Sequence, residues 1–232
     1  MSFSNGPTVV TNGLVLSLDA GDRNSYVSGS TTWFDLAGTN NGTLTNGPTF
    51  NTGSFGSIVF DGVDDYVRIP YNPSLNPDSI TVSAWINRNQ VVNYSHFIGL
   101  PVSNTTWNPP YMPYGIEYIE TSNTMSFTLG FTDNSFTYTY VNLPFGNNQW
   151  FNFTGTYDKA NVKIYINGVL STTRAETKTM YQSTSDYYIG TINSSAQYPL
   201  NGRIGSNQVY NRALSASEVL QNYNALKGRF GL

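Results

Sequence analysis

An all-β fold, an antiparallel sandwich or barrel with one short C-terminal helix, is what this sequence predicts. Three observations predict it. Nearly every segment alternates with period two; turn residues, Asn-Gly above all, separate the segments at short spacing; one stretch alone carries a capped helical pattern. No linker, charge run, repeat or low-complexity tract interrupts the 232 residues, so one domain is expected.

The strands follow in order. "GLVLSLDA" (13–20), "GSIVF" (56–60), "DYVRIP" (65–70), "SITVSAWI" (79–86), "TMSFTLGF" (124–131), "SFTYTYVNL" (135–143), "WFNFTGTY" (150–157) and "NVKIYING" (161–168) are short and rich in β-branched or aromatic residues. In "FTYTYV", Phe136, Tyr138 and Tyr140 share one face and the threonines share the other. Asn-Gly occurs at 5–6, 12–13, 41–42, 46–47, 167–168 and 201–202, and suits the positive φ of tight hairpin turns. The helix lies in "RALSASEVLQNYNALKGRF": Ser215 and Glu218 form a capping box, while Val219, Tyr223 and Leu226 share a face beside Leu220. Lys227 suits the negative end of its dipole and Gly228 its stop, and the helix should pack on the sandwich.

Composition excludes several functions. With no Cys there is no disulfide and no thiolate nucleophile or ligand, which suits a reducing cytosol. A net charge of −3 with only 11 basic residues argues against nucleic acid as a partner. The first 21 residues lack the basic and long apolar regions of a secretion signal, and no run approaches a membrane span, so no membrane insertion is expected. Charged residues are 11% of the chain against a usual ~25%, leaving Asn, Ser, Thr, Gly and 17 Tyr to make the surface.

Chemistry finds little purchase. A glycosidase needs two carboxyl groups roughly 5–10 Å apart. The four glutamates are Glu117, Glu120, Glu176 and Glu218; a regular strand points Glu117 and Glu120 to opposite faces, and Glu218 serves the cap. Glu117 with a distant Asp is the remaining enzymatic option and is not expected. His96, the only histidine, has no nearby Ser-His-Asp arrangement. No catalytic residue is therefore assigned. Between Phe60 and Val67 stand Asp61, Asp64 and Asp65. They read as a hairpin or bend whose acids cap backbone N–H groups, with an oxygen-rich calcium loop as the alternative.

Taken in order, "GLVLSLDAGD", "TTWFDLAGTNNGTL", "GSIVFDGVDDYVRIP", "ITVSAWI", "WFNFTGTYD", "VKIYINGVL", "YYIG" and "GRIGSNQVYNRALSASEV" resemble the laminin-G-like, concanavalin-A-like lectin/glucanase superfamily. The resemblance runs over about residues 13–226 and implies a jelly-roll sandwich of two curved antiparallel sheets. It sets the domain at 13–227, between an N-terminal segment 1–12 and a tail 228–232. Many relatives have Ile-Asp-Glu-Val where this chain has Ile204, Gly205, Ser206, Asn207, so an acid that assists a structural calcium is missing at Gly205. Asp19 matches another commonly acidic position. No metal is expected; Asp19 and Asp61 are weak calcium candidates, and no other cofactor is implied.

"TNGLVLSLDAGDRNSY", "NGPTF" and "EVLQNYNALKGRFGL" further resemble virion proteins of tailed bacteriophages, marine and cyanobacterial ones especially. That resemblance implies a non-enzymatic structural protein, made in the host cytoplasm and displayed on the virion surface as a capsid decoration or tail or fibre component. Its partners would be other virion proteins, with homo-oligomer or lattice contacts, since sandwich edges carry little charge here. Phe230 and Leu232, beyond the helix, are the candidate docking residues. The alternative is a carbohydrate-binding lectin or adhesin with a cell-surface glycan as partner. Its candidate platform is Trp107, Tyr111 and Tyr114 in the Pro-rich stretch 101–118, where aromatic rings offer flat sugar-sized surfaces.

Overall fold

Alternation gives each sheet two chemically distinct faces, and a sandwich buries one face of each. The computed structural model describes residues 7–89, 94–105, 108–119 and 122–232. Two antiparallel sheets of eight strands pack face to face. The first runs β14 (Val169–Ala175), β13 (Asn161–Ile166), β12 (Trp150–Tyr157), β7 (Ile80–Arg88), β16 (Asn201–Tyr210), β5 (Ser57–Asp61), β4 (Thr49–Asn51), and β1 (Leu14–Asp19) also pairs with β16. The second runs β11 (Phe136–Asn142), β10 (Thr124–Gly130), β9 (Tyr114–Ile119), β8 (Tyr94–Leu100), β15 (Tyr187–Ile189), β6 (Tyr66–Ile69), β3 (Gly42–Thr45), β2 (Thr32–Trp33). Between them Ile58, Phe60, Val82, Ile86, Phe151 and Phe153 of the first sheet join Val67, Phe97, Ile116, Phe127 and Leu129 of the second in one buried core.

The turn chemistry divides by position. Asn167 and Gly168 both take positive φ (51° and 76°) and close the β13–β14 hairpin, as the residue pair predicts. Asn46 and Gly47 are also left-handed, yet they carry the chain from one sheet to the other. Asn201-Gly202 lies inside β16 and makes no turn. The Asp61–Asp65 segment likewise crosses between sheets, so it is a bend and not a hairpin. Of the Pro-rich stretch 101–118, residues 114–118 belong to β9 and form no loop.

Helix α1 (Ala216–Leu226) begins at the expected capping box, with Ser215 and Glu218 bonding reciprocally. Arg212 grips the same Glu218 through two contacts of 3.0 and 2.6 Å. The helix does not stop at Gly228. A 3-10 turn, Lys227–Phe230, continues it, and the left-handed residue is Gly231. This arrangement closes the outer face of the first sheet. Val219 packs with Tyr165, Tyr210 and Leu214, joined by Val10 from the N-terminal segment. Trp85 of β7 stacks on Tyr223 (5.6 Å) and on Phe230 (4.2 Å).

The missing acid at position 205 now has a steric reason. A Cβ on Gly205 would meet the Phe230 ring at 2.6 Å, so any side chain there would expel the tail. Phe230 is thus buried on its own domain and offers no docking surface, while Leu232 is half-exposed beyond it. Among the described residues no helix is long and apolar enough to cross a membrane.

Replacing Trp85 by Ala removes both stacks, and the expected cost is about 3–5 kcal/mol of unfolding free energy in a denaturant titration, as for large aromatic truncations in cores. The Glu218 carboxyl is held down to about 2, first by its hydrogen bonds from Arg212 and then by the Ser215 backbone. Because that value lies below the unfolded one, its stabilisation is complete above roughly pH 4.5 and is lost as pH falls towards 2. Thermal melts from pH 6 to 2 should therefore show a steeper loss in the wild type than in Glu218→Gln.

Candidate functional site

On the outer face of the second sheet, Ile192 lies over Gly99 and Met112 over Gly115, and the face opens towards β11. In β11 the sequence pattern is inverted relative to an ordinary core strand. Thr137 and Thr139 point inward, at 3% and 2% exposure, and neither hydroxyl has a hydrogen-bond partner among the described residues. Phe136, Tyr138 and Tyr140 point outward. Buried polar groups without partners cost stability, and exposed aromatics forgo burial. A strand built this way presents its rings for something other than the core.

Strand register assembles the rest of the face. His96 of β8 pairs with Glu117 of β9, Glu117 with Ser126 of β10, and Ser126 with Tyr140 of β11. These residues, with Thr128 and Tyr138 one step along, form a continuous outward set. The floor is polar and buried: Glu117 Oε1 accepts from Ser126 Oγ (2.9 Å) and Thr128 Oγ1 (2.7 Å), and Oε2 stands 3.4 Å from His96 Nε2. Tyr94, His96, Glu117, Tyr138 and Tyr198 enclose a cup of about 240 Å³. Tyr94 and Tyr198 meet edge to face at 6.0 Å on one side. The other side is a run of rings, Tyr140 on Tyr138 (5.6 Å), Tyr138 on Phe136 (5.3 Å) and Phe136 on Tyr111 (4.9 Å). The backbone of residues 110–112 closes this end, lying so near Gly130 that a Cβ there would meet the Met112 carbonyl oxygen at 2.3 Å.

Electrostatics follow from burial. Desolvation pushes His96 below the usual imidazole range, against the pull of Glu117, so the ring is neutral near pH 7. Tyr138 and Tyr140 are pushed up, by burial first and then by the Glu117 charge, so both keep their O–H as donors.

Of the expected platform, Tyr111 reaches this face through Phe136, and Trp107 lies outside the described residues. Tyr114 does not belong to it. The residue points through the sheet into the core, where its hydroxyl donates to the Leu75 carbonyl at 2.7 Å and burial raises its pKa. Alternation explains the split: Tyr114, Ile116 and Tyr118 face inward, which turns Glu117 outward. Tyr94, His96, Glu117, Tyr138, Tyr140 and Tyr198 are the members that sequence reading did not assemble. The aromatic face of "FTYTYV" was the available signal.

Of the two weak calcium candidates, Asp19 is already committed to a cation of the chain's own. Asp19 is ion-paired to Arg229, whose guanidinium also donates to the carbonyls of Ser54, Gly56 and Gly205. A cation of the chain's own thus sits in that oxygen cage. Asp61 accepts from the Val63 N–H and Asp65 from the Asp61 N–H, the backbone-capping role expected of the bend. The carboxylates of Asp61, Asp64 and Asp65 lie within 4.8 Å of one another, and burial, opposed by the Asp61 N–H and aided by both neighbours, raises Asp65. A larger depression of about 650 Å³ between Tyr26, Phe50 and Phe55 is mainly apolar and has Arg23 as its one charged lining residue, with no carboxylate to orient a polar ligand.

The sequence profile of the concanavalin A-like lectin/glucanases superfamily matches residues 61–220. The chain belongs to this superfamily. No curated protein matches its sequence. Among solved structures, domain 4 of AbnA, an extracellular arabinanase of Geobacillus stearothermophilus, in complex with arabinotriose, superposes with a TM-score of 0.69 at 19% identity, over 90% of this chain and 98% of that one. The botulinum neurotoxin type G receptor-binding domain gives 0.67 at 19%, over 91% of this chain and 51% of that one. The serotype D ligand-binding domain in complex with N-acetylneuraminic acid gives 0.70 at 15%, over 92% and 51%. The chain spans about half the length of the toxin domains it matches. At these identities the likeness establishes the fold, the expected two-sheet jelly roll with a terminal helix.

Two outcomes check the site. The single imidazole should titrate by NMR below the unperturbed value of roughly 6.5, with folding stability declining as pH falls from that value towards the folded one. A titration at or above 6.5 would contradict a buried, desolvated His96. Thr139→Val, which removes an unsatisfied buried hydroxyl, should raise unfolding free energy by about 1 kcal/mol in denaturant.

Proposed function

We propose that this domain binds carbohydrate in the cup between Tyr94, Tyr198 and Tyr138, and that it does so without cleaving it. One observation carries the reading: outward aromatic rings surround a buried, hydroxyl-held carboxylate on the outer face of the second sheet. Sugars present flat C–H faces and rings of hydroxyls, so aromatic walls with a fixed acceptor at the floor suit both. The cup is smaller than the roughly 300–1,000 Å³ of drug-sized sites, a size for one sugar ring, with exposed Tyr140 and Phe136 extending the surface. Superfamily membership and the arabinotriose-bound neighbour support the same ligand class. Among the described residues Glu117 is the one carboxylate lining the cup, whereas hydrolysis needs a second across the bond, which favours binding over turnover.

We further place the domain on the outside of a tailed-phage particle, as a capsid decoration or a tail or fibre component that touches neighbouring subunits. The resemblance of its opening and closing segments to phage virion proteins supports this, as does the low share of charged residues. Peptides of this chain should be found by mass spectrometry in purified particles; their absence from particles would remove the virion placement and leave the lectin reading.

Glycan-array screening should find at least one bound oligosaccharide and no release of reducing ends. Tyr138→Ala and Tyr198→Ala should each weaken that binding about tenfold, the top of the range for one aromatic contact, with the melting temperature nearly unchanged. An array with no bound sugar would refute the glycan reading.

A further inference from the structure

We infer that the cup selects glycans by charge: it takes uncharged sugars and excludes those bearing carboxylate, sulfate or phosphate. The inference rests on the glycan-binding reading and adds the ligand class to it.

The floor supplies the reason. Glu117 is 4% exposed, and both hydroxyls that touch Oε1 donate to it, so the oxygens are oriented as acceptors. A carboxylate fixed this way can receive a sugar hydroxyl at Oε2. It has no means of receiving another anion. The carboxylate is itself buried, and repulsion between like charges grows as the dielectric falls. The one titratable neighbour that could offset the charge, His96, is kept neutral by its own burial.

None of the residues lining the cup is Lys or Arg. The stretches 90–93, 106–107 and 120–121 contain none either. Arg174 of β14 is directed to the carbonyl of Tyr138 from the sheet edge and does not line the cup. Arg88 is turned under the sheet, over the Tyr118 ring and against Asn147. Recognition of an acidic sugar relies on a guanidinium, an ammonium or a cluster of N–H donors. This face provides tyrosine hydroxyls and an acceptor.

The test compares matched ligands on the intact protein. Arabinotriose, cellotriose and triacetylchitotriose are titrated by calorimetry beside 3′-sialyllactose and trigalacturonate. Any neutral binder is then compared with the same oligosaccharide after oxidation of its primary alcohols to carboxylates. The expected result is a neutral form bound at least tenfold more tightly than its oxidised partner, with Glu117→Gln narrowing the gap to within about threefold. If Glu117→Gln does not fold, the matched comparison on the wild type decides alone. Equal or tighter binding of the acidic form, or a gap that Glu117→Gln leaves intact, overturns the charge selection while glycan binding stands. Failure of every sugar, neutral and acidic, removes the glycan reading and this inference with it.

Discussion

Trp85 stacked on Tyr223 and Phe230 decides which side of the sandwich is closed. Each sheet of a two-layer fold has an outer face, and water is the default cover for both. Here the first sheet receives a helix, a 3-10 turn and the N-terminal segment, which bury an indole and a second small cluster around Tyr165 and Tyr210. Gly205 is part of the same device, since only its missing side chain lets the Phe230 ring lie flat on β16. The C-terminal residues are then pinned by Arg229 in its cage of carbonyls and Asp19. The cup of rings lies on the second sheet, on the side away from this cover.

The second sheet divides its two faces by chemistry. Its inner residues are conventional, Ile116, Phe127 and Leu129 among them. Its outer residues combine a buried carboxylate, two hydroxyls and rings that stay half in water. Holding Glu117 at low exposure requires donors, and Ser126 and Thr128 supply them from the neighbouring strand at hydrogen-bond distance. The same register brings Tyr138 and Tyr140 alongside. Floor and wall are thus products of one strand alignment, and a slip of one residue would turn both into the core.

The contrast between Asp19 and Glu117 shows how context assigns a carboxylate. Both are held by side-chain donors. Asp19 faces a guanidinium and becomes a clasp for the tail, whereas Glu117 faces hydroxyls and a neutral imidazole at the bottom of an opening. The acids of the Asp61–Asp65 bend take a third role, accepting backbone N–H groups where the chain passes between sheets.

Period-two patterning and turn residues were sufficient to place eight of the strands, the antiparallel class and the capped helix, because alternation and capping are local and their residues lie a few positions apart. The aromatic face of β11 was equally legible. What lay beyond local pattern was direction and partnership. Strand β8 was hidden by the register shift between His96 and Ile98, and β9 by the prolines before it. Whether the rings of "FTYTYV" faced core or solvent could not follow from alternation, which separates two faces without saying which is buried. Tyr94, Glu117, Tyr138 and Tyr198 are brought together by strand pairing and a loop folded back over the sheet, across separations of 21 to 104 residues. Only the packed structure determines such contacts, since hydrogen-bond register between distant strands depends on the whole core closing at once.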